Sequence, residues 1–227
     1  MAPIGKLYGH PRRQTTIAIL SAAAIGGFEI ESLPFEFGVT NKTPEFVEKF
    51  PLGKVPAFED NEGFKLTEGA VIARYVSSLA PESGLLGRNT KETTLVDQWV
   101  HFAEYELILH TNFMWAGIFF KSLPGYNAEQ HEFHQQRATH SLRFLEDYLT
   151  TRASGLLVND SITLADIFVA TGALRAGETI CGISEREQTY PHVFAHYAKV
   201  SSDERFKVVF ERANPTFVEK PLAFQAE

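Results

Sequence analysis

The pattern of apolar and polar positions changes character along the chain. Strand and helix periods mix over the first third, whereas after Ala80-Pro81-Glu82-Ser83-Gly84 the pattern reads as helix after helix. Lys6-Leu7-Tyr8 predicts a short strand halted by Gly9-His10-Pro11, and residues 16–24 predict a helix with Gly26-Gly27 as its cap. Phe28-Glu29-Ile30-Glu31 alternates apolar and charged, which predicts a second strand and completes a β-α-β unit. Thr43-Pro44-Glu45 starts a short helix that Phe50-Pro51 ends: the hydroxyl caps, proline fits the first helical position, and the acid favours the first turn. Residues 55–59 and 64–66 flank the turn-rich Asp60-Asn61-Glu62-Gly63 and predict an antiparallel hairpin, after which a helix over 67–77 closes this part.

Beyond the linker, residues 90–120 carry one long apolar periodicity, broken at Ser122-Leu123-Pro124-Gly125, and residues 127–150 carry a second. Thr163 stands three residues before Asp166 in the spacing of a reciprocal capping box, with Ile162 and Ile167 as its hydrophobic staple. Shorter helices are expected over 191–200 and 203–211, and residues 214–227 have no period of their own.

Composition then narrows the classes. The chain has 227 residues, 44% hydrophobic and 22% charged, the balance of an ordinary globular protein long enough for one large domain or two small ones. Its 21 basic against 28 acidic side chains give a net charge of −7, which offers no positive field to phosphates and argues against a nucleic-acid partner. Charged residues interrupt every apolar run before about 18 residues, so no membrane span is expected. The N-terminus lacks an apolar signal core, and a single cysteine, Cys181, suits a reducing compartment, so a cytoplasmic protein is expected with Cys181 as a small buried apolar residue.

His131 and His134 fall on one helical face, with His140 further along, but the run His131-Glu132-Phe133-His134 is one residue short of the i, i+4 pair of a zinc protease. They are read as a solvated face, with no metal.

Three segments carry a resemblance. Phe50-Pro51-Leu52-Gly53-Lys54-Val55-Pro56-Ala57-Phe58, Leu66-Thr67-Glu68-Gly69-Ala70-Val71-Ile72 and Ser161-Ile162-Thr163-Leu164-Ala165-Asp166 resemble motifs of the glutathione transferase superfamily. Residues 40–59 look especially like the transferase-like domain of the gamma subunit of translation elongation factor 1. The resemblance covers nearly the whole chain. It implies the glutathione transferase fold: an α/β thioredoxin-like N-terminal domain, then an all-α C-terminal helical domain. The expected bounds are 1–80 for the first, 81–88 for a linker and 89–227 for the second.

The resemblance also implies a function: conjugation of glutathione, as co-substrate, to a small apolar electrophile, or reduction of an organic peroxide, by a homodimer. The alternative is a non-catalytic interaction domain of the elongation factor 1 gamma type, docking a translation-factor partner. Val55-Pro56 would offer backbone N–H and C=O to the cysteinyl part of glutathione as one more strand would. Glu68 and Gly69 open a helix whose free N–H groups favour the γ-glutamyl carboxylate, although family members usually carry serine where Gly69 stands. Lys54, with Asn41 and Lys42, matches positions that bind the glycyl carboxylate.

The thiol activator is the point of departure. The alignment puts the family's serine at Arg13 and its tyrosine at Gly9, so neither hydroxyl is present, and Tyr8 points to the opposite face. Arg13 can favour thiolate by charge, His10 can take the proton, and Thr15 and Thr16 are fallback hydroxyls; a solvated basic corner at Arg12 and Arg13 is the competing reading. Activity is expected to be low. The electrophile pocket is expected on the long helix carrying His110, Phe113, Met114, Trp115, Phe119 and Phe120, most of whose aromatics serve as core or dimer contact. The dimer face is expected to include Ala70, Arg74 and Ser77.

Overall fold

A computed structural model describes residues 2–119 and 123–224. The chain divides into two compact units, Met1–Leu86 with Asp203–Asn214, and Gly87–Ser202 with Pro215–Glu227.

In the first unit, β1 (Gly5–Tyr8) leads through α1 (Gln14–Ile25) to β2 (Glu31–Leu33), which pairs parallel to it. The strand expected at residues 28–31 begins only at Glu31. Phe28 is still part of the end of α1: Gly27 adopts φ 72° and the Phe28 N–H reaches back to Ala23 O at 2.8 Å, as in a Schellman cap. A 3₁₀ turn over Thr40–Lys42 precedes α2 (Pro44–Lys49), where Thr43 Oγ1 accepts the Phe46 N–H at 3.3 Å. β3 (Ala57–Asp60) and β4 (Lys65–Thr67) form the expected hairpin, and α3 (Gly69–Ser78) follows, starting later than expected because Thr67 pairs with Ala57 in the sheet. The strand order is β2-β1-β3-β4, with β3 antiparallel to β1 and Leu7 opposite Phe58. Ile17, Ala18, Ile19 and Ala22 of α1 and Ile72, Ala73 and Val76 of α3 are completely buried where the two helices pack. Ser77 is buried too, donating to Ala73 O at 2.8 Å, so it faces the core and not a partner; Val71, Arg74 and Ser78 form the outer face of α3.

The second unit is helical. The long periodicity folds as α4 (Thr90–Phe102), a π-helical stretch over Ala103–Ile108 and α5 (Leu109–Phe119), while Phe120 lies outside the described residues. The π stretch, which the apolar period does not reveal, thrusts Leu107 into a notch on α7 (Leu164–Gly177): a Cβ at Gly172 would lie 2.7 Å from Leu107 Cδ2. Between them in sequence runs α6 (Ala128–Thr150), capped by Asn127. Every residue of α7 is buried, and its capping box is formed, with the Thr163 N–H donating to Asp166 Oδ2 at 2.8 Å. α8 (Pro191–Ser201) follows. The aperiodic tail is tied back by Val218 N–H to Gly177 O at 2.9 Å and Leu222 N–H to Thr179 O at 2.7 Å. Cys181 is fully buried, and burial pushes its thiol up to about 12. Before that tail the chain returns to the first unit in α9 (Lys207–Arg212), packed on α1. Among the described residues no helix is long and apolar enough to cross a membrane.

Candidate functional site

Most helices of eight residues or more that start from a loop have their first N–H groups satisfied by side chains. Asn89 caps α4 at 3.1 Å, Asn127 caps α6 at 3.0 Å, and Glu146 accepts the His192 and Val193 N–H groups at the start of α8 at 3.1 and 2.9 Å. Helices α1 and α3 differ: neither N-cap side chain makes a capping bond and neither first turn holds an acid. Both belong to the first unit, and both leave the positive end of a helix open.

At α1 the N-cap residue is Arg13, extended at φ −79° and ψ 131°. Its N–H donates to His10 O at 2.9 Å, which closes the Gly9-His10-Pro11 turn, and His10 Nδ1 accepts the Arg12 N–H at 3.2 Å. The Arg13 guanidinium has no partner among the described residues. It remains in touch with solvent, yet the protein around it lowers its pKa by desolvation. A cation at the positive end of a helix is itself unfavourable, so both features call for an anion. Tyr8 does not serve here: its ring packs edge-on against Phe46 and Phe50 at 5.4 and 5.6 Å, and its hydroxyl reaches Lys49.

The Val55–Pro56 peptide is cis, and the Val55 N–H and C=O have no partner among the described residues. The Val55 side chain packs on Phe46, Phe50 and Ala57, which fixes the segment while its backbone stays available. Lys42 and Lys54 are exposed and unpaired among the described residues. Asn41 is different. It is buried, its Oδ1 accepts the Gly38 N–H at 2.7 Å and its Nδ2 donates to Gly53 O at 2.7 Å. Its amide therefore pins the turn that precedes Lys54. Gly53 needs glycine there, since it sits at φ 59°.

At α3, Glu68 holds φ 65° and ψ 113°, a left-handed φ that a non-glycine residue adopts only where its surroundings impose it. The side chain of Glu68 is exposed, while Gly69 is buried behind it.

Comparison with known proteins decides the family. Residues 3–78 match the model of the glutathione S-transferase N-terminal domain, and residues 111–211 match that of the C-terminal domain. A glutathione S-transferase-like protein, LUC7, from Fusarium sp is 37% identical over 220 residues, covering 94% of this chain and 96% of that protein. The chain belongs to the glutathione S-transferase family. Elongation factor 1-gamma-A from Xenopus laevis is 40% identical over 175 residues, which is 75% of this chain and 38% of that longer protein. In fold, the chain resembles the glutathione transferase URE2P6 from Phanerochaete chrysosporium, solved with oxidized glutathione, with a TM-score of 0.83 at 20% identity over 94% of this chain and 97% of that one.

In this transferase-family chain most of the α5 side chains proposed for the electrophile pocket are engaged within the second unit. His110 is buried, and its Nδ1 meets His134 Nδ1 at 2.9 Å, so one ring donates and the other accepts. Met114 is buried, and the Trp115 ring lies under the Arg175 guanidinium at 4.4 Å. Phe113 stacks on His134 at 4.7 Å but stays 40% exposed, and Phe119 is 56% exposed, so these two rings alone of the expected set present large open faces among the described residues.

The solvated histidine face is a correction as well. His131 and His134 are buried, His131 Nδ1 contacts the Tyr126 hydroxyl at 2.9 Å, and of the three only His140 is exposed. His110 and Phe113 of α5 lie against His134, while Tyr126 and Phe224 lie against His131. Desolvation lowers the pKa of His110, His131 and His134, and pushes the Tyr126 hydroxyl up to about 12. Among the described residues no three His, Cys, Asp or Glu side chains gather as metal ligands.

Proposed function

We propose that the chain is a glutathione transferase that binds glutathione on its first unit and conjugates it to a small apolar electrophile or reduces an organic peroxide. The observation that carries this reading is the pair of uncapped helix N-termini at Arg13 and Glu68, in a unit where Val55 also keeps its backbone groups free. The γ-glutamyl carboxylate takes the α3 N-terminus, with Glu68 facing the ammonium group. The cysteinyl backbone pairs with Val55, and the glycyl carboxylate meets Lys54 and Lys42. The thiolate lies at the α1 N-terminus, where the helix dipole and the Arg13 charge favour the anion over the thiol. A guanidinium cannot accept the proton, so this goes to water or to His10. The working protein is a homodimer in the cytoplasm, with a first domain over 1–80 and a second over 89–227, from which Asp203–Asn214 returns to the first compact unit.

One observation favours a second reading. The residue at the N-cap position of α1 is arginine, not a hydroxyl donor, and a docking domain of the elongation factor 1 gamma type needs no thiol activator. A conjugation assay with glutathione and a generic aryl halide separates the two. Turnover above the uncatalysed rate that saturates with glutathione supports the transferase; glutathione-independent background alone supports the docking domain.

A further inference from the structure

Helices α1 and α3 meet closely at Thr15 and Gly69. A Cβ placed on Gly69 would lie 2.4 Å from Thr15 Cβ, 2.6 Å from Cγ2 and 3.0 Å from Oγ1. Gly69 is not among the left-handed glycines, so its backbone does not require glycine; the Thr15 side chain does. Thr15 thus fills the volume in which a side chain of residue 69 would begin, at the first turn of α3.

The Thr15 hydroxyl is not tied to its own helix, and the buried hydroxyl of Thr16 beside it is likewise without a partner among the described residues. Elsewhere in the helices Thr94, Thr111 and Thr150 each donate to the carbonyl four residues earlier, at 2.8 to 2.9 Å. Thr15 has no hydrogen-bond partner among the described residues, and its side chain is only partly covered. An isolated hydroxyl therefore stands beside N–H groups of α3 that are also without a capping side chain.

We infer that Thr15 is a glutathione-binding residue: from α1 it donates its hydroxyl to the γ-glutamyl carboxylate held at the α3 N-terminus, supplying the side-chain donor that residue 69 lacks. This rests on the reading that glutathione binds on the first unit. It gives Thr15 a role in holding the ligand, distinct from activating the thiol. A neutral donor to a carboxylate within a partly enclosed site is a charge-assisted bond, and its loss weakens binding by about ten- to a hundredfold.

The test is calorimetric titration of the full chain with reduced glutathione, for wild type, Thr15→Val and Thr15→Ser, alongside thermal unfolding. Valine keeps the shape that packs on Gly69 and removes only the hydroxyl; serine keeps the hydroxyl. The expected result is tenfold or greater weakening in Thr15→Val, near wild-type affinity in Thr15→Ser, and equal midpoints for wild type and Thr15→Val without ligand. Wild type that binds glutathione while Thr15→Val binds as tightly overturns the role of Thr15 and leaves the glutathione site standing. A loss shared by Thr15→Ser overturns it too, because packing and not the hydroxyl is then what matters. Wild type that fails to bind glutathione overturns the site itself.

Discussion

His196 Nε2 donates to Asp166 Oδ1 at 3.1 Å, with both side chains wholly buried. The same carboxylate accepts the Leu157 N–H at 2.9 Å, the Thr163 N–H at 2.8 Å and the Thr163 hydroxyl at 2.7 Å. One side chain thus joins the cap of α7 to the preceding loop and to α8. A lost cap costs about 0.5–2 kcal/mol, and each buried donor left without an acceptor adds about 1–3 kcal/mol. Asp166→Ala should therefore destabilise by at least about 2 kcal/mol and by more than Thr163→Ala, with glutathione affinity nearly unchanged in both. Equal denaturation midpoints for the two variants would contradict this.

The contact of His110 with His134 sets an acid limit on the second unit. Burial lowers both pKa values, so the folded state prefers neutral rings while the unfolded chain protonates near pH 6.5. Between the folded and unfolded values the unfolded chain binds more protons, so the contribution is fully present above about pH 6.5 and is lost as pH falls through that window. Thermal midpoints measured from neutral to acidic pH should fall more steeply for wild type than for His134→Gln. Parallel curves would show that the pair does not titrate as argued.

Thr15 and Gly69 should also reveal their contact without any ligand. Gly69→Ala overpacks the α1–α3 junction and should destabilise by about 1–3 kcal/mol, whereas the same change in a Thr15→Gly background should cost little. A double-mutant cycle by denaturant unfolding reads the coupling directly; additive effects would mean that the junction relaxes freely.

Local signals explain what could be read in advance. The β-α-β unit, the hairpin and the Thr163 cap were legible because each is written in adjacent residues: alternation, turn chemistry, or a three-residue spacing. The late start of β2 was not, because the Schellman end of α1 holds Phe28 by a bond to Ala23 that apolar alternation does not encode. The π stretch sets Leu107 against Gly172, about 65 residues further along the chain, a contact that no local period encodes. Within the candidate site, Lys54, Val55 and Glu68 were visible through their motifs. The pinning role of Asn41 was hidden because it depends on where the Gly38 and Gly53 backbones come to rest. The burial of His131 and His134 was hidden likewise, since helical spacing places both on one face but does not say what covers it.

Arg13 makes a kinetic prediction. Replacing it by alanine removes the charge that favours thiolate, so the kinetic pKa of the bound thiol should rise and turnover should fall more than glutathione affinity, since both ligand carboxylates keep their sites. The pH–rate profiles of wild type and Arg13→Ala should be displaced from one another. Superimposable profiles would remove Arg13 from the chemistry.

The central claim is that the first unit holds glutathione, and calorimetric titration of reduced glutathione into the intact chain tests it most directly, with Lys54→Ala as the comparison. The account expects saturable, one-site binding of modest affinity, because ordering a small flexible ligand has an entropic cost, and weaker binding in Lys54→Ala. Absence of binding heat up to millimolar glutathione, or identical isotherms for wild type and Lys54→Ala, would contradict it.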